Sequence, residues 1–263
     1  MGESIQMNIT ASLGDRADGN DVFCAACKEL SVDSIQLIVK TARWVHPDTF
    51  RYLPVWYPEA WRKADLYDVT WSKRSKNKGS DKFESNVRAG KALKAALGGF
   101  QESNWACCHI WGFDDPSFSS SSEIVTDPRY YTCVANMILV PSALKALTDA
   151  VEEVKLMLRV CAWHTYGWVC EEPIVKQQAD RIKSGFIPQG YPKEWPRGGE
   201  GRLPPGTMPF TEYIRELADQ RLSRVASEVH RHSETDLPFF PKEKVLSVLR
   251  FWNVQLPAVN ADV

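Results

Sequence analysis

Residues 104–115, NWACCHIWGFDD, hold an apolar, aromatic-rich run around two cysteines and a histidine, closed by a glycine and two acids. Trp105 to Trp111 is short, rich in β-prone residues and bounded by Gly112, so it reads as a strand. A serine-rich loop, DDPSFSSSSEIVTDP at 114–128, separates it from a second strand candidate, YYTCVANMILV at 130–140. Pro141 follows, and a proline in the first turn favours a helix start, so PSALKALTDA at 141–150 is predicted helical. In that order of strand, loop, strand and helix, the end of the first strand comes back beside the second. His109 is thereby expected near Asn136.

These residue types suit the hydrolysis of a phosphodiester, which needs a base to activate water and a cation to stabilise charge on phosphate. His109 on a first strand, Asn136 beside the second, and a helix after it resemble the HNH, or His-Me finger, nuclease superfamily. The CHIW strand is similar to that of divergent bacterial HNH-like proteins, and the resemblance covers residues 87–170. It implies that His109 is the general base and that Asn136 belongs to a single-metal site for magnesium or manganese. Two roles of the pattern are filled differently. Cys108 stands where an acidic ligand often precedes the histidine, and Leu144 and Lys145 stand where the helix histidine is expected. Asp149 is the nearest acid that can replace that ligand, with Asp114 and Asp115 as further oxygen donors or as turn formers. Arg129 and Lys145 are candidate phosphate contacts.

With 263 residues the chain can bury a core without disulfides or a structural metal. Its 44% hydrophobic and 25% charged residues place it among globular proteins rather than disordered ones. The net charge of −1 argues against nucleic-acid binding by bulk charge, so any such role must rest on a local patch. One segment qualifies. Between Arg62 and Lys94 bases outnumber acids, and Lys73, Arg74, Lys76, Lys78, Lys91 and Lys94 are the candidates for holding backbone phosphate, DNA being the expected polymer. The same charges also suit a solvated face. Seven cysteines without framework spacing, no N-terminal apolar h-region and no membrane-length apolar run point to a soluble, cytoplasmic protein.

Elsewhere, SVDSIQLIVKTARWV at 31–45 has helical spacing after a candidate cap at Ser31, with His46-Pro47 closing it. RYLPVWYPEAW at 51–61 is dense in aromatics and prolines, suiting irregular structure over a core or a platform on which bases stack. Helices are predicted over 86–97, 151–168, 172–184, 211–231 and 241–252. The proline- and glycine-rich stretch at 185–209 reads as a linker or wrapping arm.

Cys24 and Cys27 have the spacing of half a structural zinc site, completed by Cys107, Cys108, His109 or Cys133, or they are simply buried thiols. His164 on an apolar helix reads as a packed residue. No dinucleotide, Walker, esterase or metallopeptidase motif is present.

The expected fold is α+β, mostly helical, with a small strand-strand-helix (ββα-metal-like) nucleus. Three regions are expected: 1–86, helical and aromatic-rich; 87–185, the HNH-like core; and 186–263, the arm and C-terminal helices. Two functions compete. One is a metal-dependent DNA endonuclease. The other is a non-catalytic protein-interaction or nucleic-acid-binding protein, open to self-association, in which His109 and Asn136 are structural.

Overall fold

The computed structural model describes residues 19–60, 75–77, 80–82, 87–112, 124–198, 201–234 and 241–259. The architecture is α+β and mostly helical. Among the described residues three helices come first: α1 (Gly19–Glu29), α2 (Ser34–Thr41) and α3 (Pro47–Tyr52). A short antiparallel pair, β1 (Ser75–Asn77) and β2 (Ser80–Lys82), precedes α4 (Val87–Ala96). The central hairpin follows, with β3 (Trp105–His109) antiparallel to β4 (Met137–Pro141) and one helical turn, α5 (Pro128–Tyr131), on the way between them. Then come α6 (Lys145–Ala150), α7 (Glu152–Tyr166), α8 (Lys176–Lys183), α9 (Glu212–Glu234) and α10 (Lys242–Phe251).

Local signals explain where the elements start, and several differ from expectation. Asp33, not Ser31, caps α2, its carboxylate accepting from the Ile35 amide at 2.9 Å. His46-Pro47 does not close that helix but opens the next one, with the His46 ring accepting from the Asp48 amide and Pro47 in the first turn. The 130–140 stretch is a strand only from Met137. Asp127 and Pro128 form a helix start, the Asp127 carboxylate taking the Arg129 amide at 2.8 Å, and this local chemistry overrides the β-propensity of Tyr130 and Tyr131. Pro141 is the last strand residue, opposite Trp105, rather than the first of a helix. Lacking an N–H, it suits a ladder end, and a 3-10 turn at Ser142–Leu144 intervenes before α6.

The hairpin has a cluster of buried side chains on each face. Successive strand residues point to opposite sides, so Cys108, Ile138 and Val140 enter one cluster with Ile38, Leu158, Cys161 and Trp195. Met137 and Leu139 enter the other with Leu53, Trp56, Leu93, Tyr131 and Ile214. Both clusters draw on residues before 87 and after 185.

The 185–209 stretch is a wrapping arm. Trp195 is fully buried, edge-on to Trp44 at 5.8 Å, and the Trp44 amide donates to the Gly206 carbonyl at 3.1 Å. At that crossing a Cβ on Gly206 would lie 2.0 Å from the Ala42 carbonyl oxygen, and its φ is +78°. Only glycine fits there. Arg43 in turn exchanges backbone hydrogen bonds with Leu139 at 2.8 and 3.2 Å, covering the free edge of β4.

Candidate functional site

The nucleus is built around the turn that leaves β3. The Ile110 amide donates to the Asn136 carbonyl at 2.8 Å, and the Trp111 amide donates to Asn136 Oδ1, also at 2.8 Å. Asn136 Nδ2 returns to the carbonyls of Trp111 and Tyr130, both at 3.3 Å. Asparagine carries a neutral acceptor and a neutral donor on separate atoms of a short stem, so it can satisfy both backbone groups of one residue. Asn136 is fully buried. Its amide is committed to backbone, so its placement is that of a clamp on the turn.

His109 ends β3 opposite Met137 and is 7% exposed. Its Nε2 lies 2.9 Å from the Tyr131 carbonyl oxygen, and its ring stacks on Tyr131 at 5.9 Å and 20°. A carbonyl only accepts, so this contact places a hydrogen on Nε2. Asn136 and His109 thus fasten the same two pieces of chain, 109–111 and 130–131. The predicted proximity of the two residues is realised, with both side chains turned to backbone.

The helix after the hairpin lies elsewhere. Leu144 and Leu147 of the α6 region pack into the Cys108 face, whereas His109 stacks with Tyr131 of the opposite cluster. On α6, Asp149 pairs with Lys145 at 2.8 Å, one helical turn away. The divalent-cation site implied by resemblance can be tested against these contacts. Asn136 Oδ1 holds a backbone amide, Asp149 holds a lysine, and His109 faces a carbonyl. As placed, the three do not fit a shared metal site. Asp114 and Asp115 lie outside the described residues, as do Lys73, Arg74 and Lys78.

Arg129 is a staple between segments rather than a group held out for phosphate. Its guanidinium meets Asp127 at 2.6 Å and Glu172 at 2.5 Å, and its carbonyl accepts from the Trp252 indole at 2.8 Å. The Asp127 hydrogen bond, foremost, holds its proton more tightly than usual. Lys76 sits on β1, and Lys91 and Lys94 on α4, where Lys91 is exposed and Lys94 half-buried.

The thiols are quiet chemically. Burial pushes Cys108 up to about 11, and Cys133 and Cys170 up to about 12, so they stay protonated at neutral pH. Cys24 and Cys27 lie together on α1, with Cys27 buried and raised chiefly by desolvation. Among the described residues, no three His, Cys, Asp or Glu side chains gather as a metal site would need.

Two cations absent from the sequence expectations line the nucleus from α7. Lys155, 2% exposed, lies with its Nζ 3.3 Å from where a Gly112 Cβ would be. One turn on, Arg159 Nε donates to the Ile110 carbonyl at 3.2 Å, its Nη1 donates to Gln178 at 2.6 Å, and its plane lies 4.7 Å over Trp111. Burial lowers its pKa, yet a guanidinium keeps its charge at neutral pH. Their sequence signal was a pair of cations four apart within the otherwise apolar run from Val154 to Ala162. Among the described residues no helix is long and apolar enough to cross a membrane. No protein family, curated protein or solved structure was found to match the chain.

Proposed function

We propose that this chain is a nucleic-acid-binding protein built on an HNH-like strand-strand-helix nucleus in which His109 and Asn136 serve the fold. What carries the reading is the commitment of both side chains to the backbone of 110–111 and 130–131. The chemistry suited to a polyanion then lies on α4 and the basic segment before it, where Arg88, Lys91 and Lys94 share one short helix.

Gel-shift or anisotropy titration with DNA and RNA at several salt concentrations tests it. Affinity should fall with salt, and Lys91→Glu with Lys94→Glu should reduce the salt slope by about 1 to 2. No binding at low salt overturns the reading.

A second reading, magnesium- or manganese-dependent cleavage with His109 as base, is favoured by one contact. A histidine fixed by a backbone carbonyl is how a general base is oriented. Plasmid nicked in either ion, and left intact by His109→Ala at unchanged melting temperature, selects this second reading. Bound but uncut plasmid selects the first.

A further inference from the structure

The groove between α4 and α9 contains a cavity of about 140 Å³ bounded by Trp56, Tyr57, Ala95, Leu217, Arg221 and Arg224. We propose that it holds one unstacked base of a single-stranded nucleic acid, with the flanking phosphates on the cations around its mouth. This site rests on the nucleic-acid-binding reading and gives it a location.

Three features of the cavity favour that occupant. The first is size. A void near 150 Å³ accommodates a benzene-sized ring, so this one suits a single pyrimidine. The second is its aromatic wall. Tyr57 is half-buried, and Trp56 is buried with an indole N–H that has no hydrogen-bond partner. The Arg221 guanidinium lies over the Tyr57 ring, and a guanidinium plane held in this way offers a surface on which the π-face of any base can stack, the sequence-tolerant part of single-strand recognition.

The third is charge. Arg88, Lys91 and Ala95 follow at i, i+3 and i+7, so one stripe of α4 runs from two cations to the cavity. The Arg88 guanidinium stands 5.3 Å from the Tyr57 ring centroid. From α9, Arg221 and Arg224 are one turn apart on the same wall. Arg221 is fixed: its Nε donates to the Trp56 carbonyl at 2.7 Å, its guanidinium pairs with buried Glu59 and it lies 4.3 Å over Tyr57. It shapes the wall, while exposed Arg224 stands one turn on toward solvent. Gln220 adds an amide able to pair with a base edge. A duplex keeps its bases stacked and paired, so it can reach the rim cations but not the cavity.

Fluorescence anisotropy with oligodeoxythymidine, oligouridine and a hairpin duplex tests this on the full chain. Ala95→Phe fills the cavity and should weaken single-strand binding roughly ten-fold while changing duplex binding less than about two-fold. Arg224→Ala, on the exposed side, should lower single-strand affinity with the melting temperature unchanged, which separates the site from misfolding. The larger loss between the thymidine and uridine strands identifies which of the two polymers the site prefers, and either counts for the site. Single-strand binding that ignores both variants overturns the site alone. A chain that binds none of the three probes overturns the nucleic-acid reading and the site together.

Discussion

Asn136 holds Trp111 by both of its backbone groups, Oδ1 taking the amide at 2.8 Å and Nδ2 giving to the carbonyl at 3.3 Å. The contact joins residues on either side of the connection between the two central strands. Asn136→Ala would leave both groups of Trp111 and the Tyr130 carbonyl without this partner in a dry interior. The expected loss is about 3 kcal/mol or more, since three buried groups are stranded and each costs about 1–3 kcal/mol. Asn136→Asp keeps the acceptor but turns a carboxylate oxygen toward two carbonyls, so it should not rescue. Urea melts measure both, and a wild-type midpoint in either variant would contradict the clamp.

His109→Ala removes the Tyr131 stack and the donor to the Tyr131 carbonyl. A loss of about 2–3 kcal/mol is expected from the stranded carbonyl and the vacated volume. Thermal unfolding reads this directly. A variant within about 0.5 kcal/mol of wild type would show that the fold does not depend on the ring.

The arm should be part of the cooperative unit. Trp195 is fully buried against Trp44, so Trp195→Ala should cost about 3–5 kcal/mol. A flexible linker would tolerate the change, and its protease sensitivity would already be high in the wild type. Limited proteolysis of both forms is the check, with cleavage near 185–209 expected only in the variant.

His164 supplies a pH dependence. Its Nε2 is buried with no hydrogen-bond partner, and burial lowers its pKa below the usual 6.5. The unfolded chain therefore takes up the proton first as pH falls, so the neutral ring's contribution is present above about 6.5 and is lost as pH drops through the folded value. Wild type should lose stability between pH 7.5 and 5.5 more steeply than His164→Gln. Parallel slopes would remove His164 as the cause.

How much of this was legible in the sequence depends on the range of the interaction. The class, the two central strands and the later helices follow from local periodicity, and the register fell close enough to bring His109 beside Asn136. Boundaries failed where two local signals competed: Asp127-Pro128 began a turn inside an apparent strand, and Pro141 ended a ladder it was expected to leave. The resemblance to a nuclease rested on residue types and order. It carried no information on whether Asn136 would face a metal or a peptide, because an amide serves either, and only its neighbours in space decide.

The sequence by itself determined an α+β chain with a basic segment and an aromatic, proline-rich arm, since each of these is written in spacing and composition. Only the tertiary structure decided that Lys155 and Arg159 face the 110–112 backbone, that Arg129 is tied to Asp127 and Glu172, and that Trp56 and Tyr57 meet Arg221 and Arg224 around a cavity. Apart from the local Arg129–Asp127 pair, these contacts join residues 43 to 165 positions apart or draw on several elements at once. Burial and partner choice at such distances depend on how helices pack, and no periodicity along the chain encodes that.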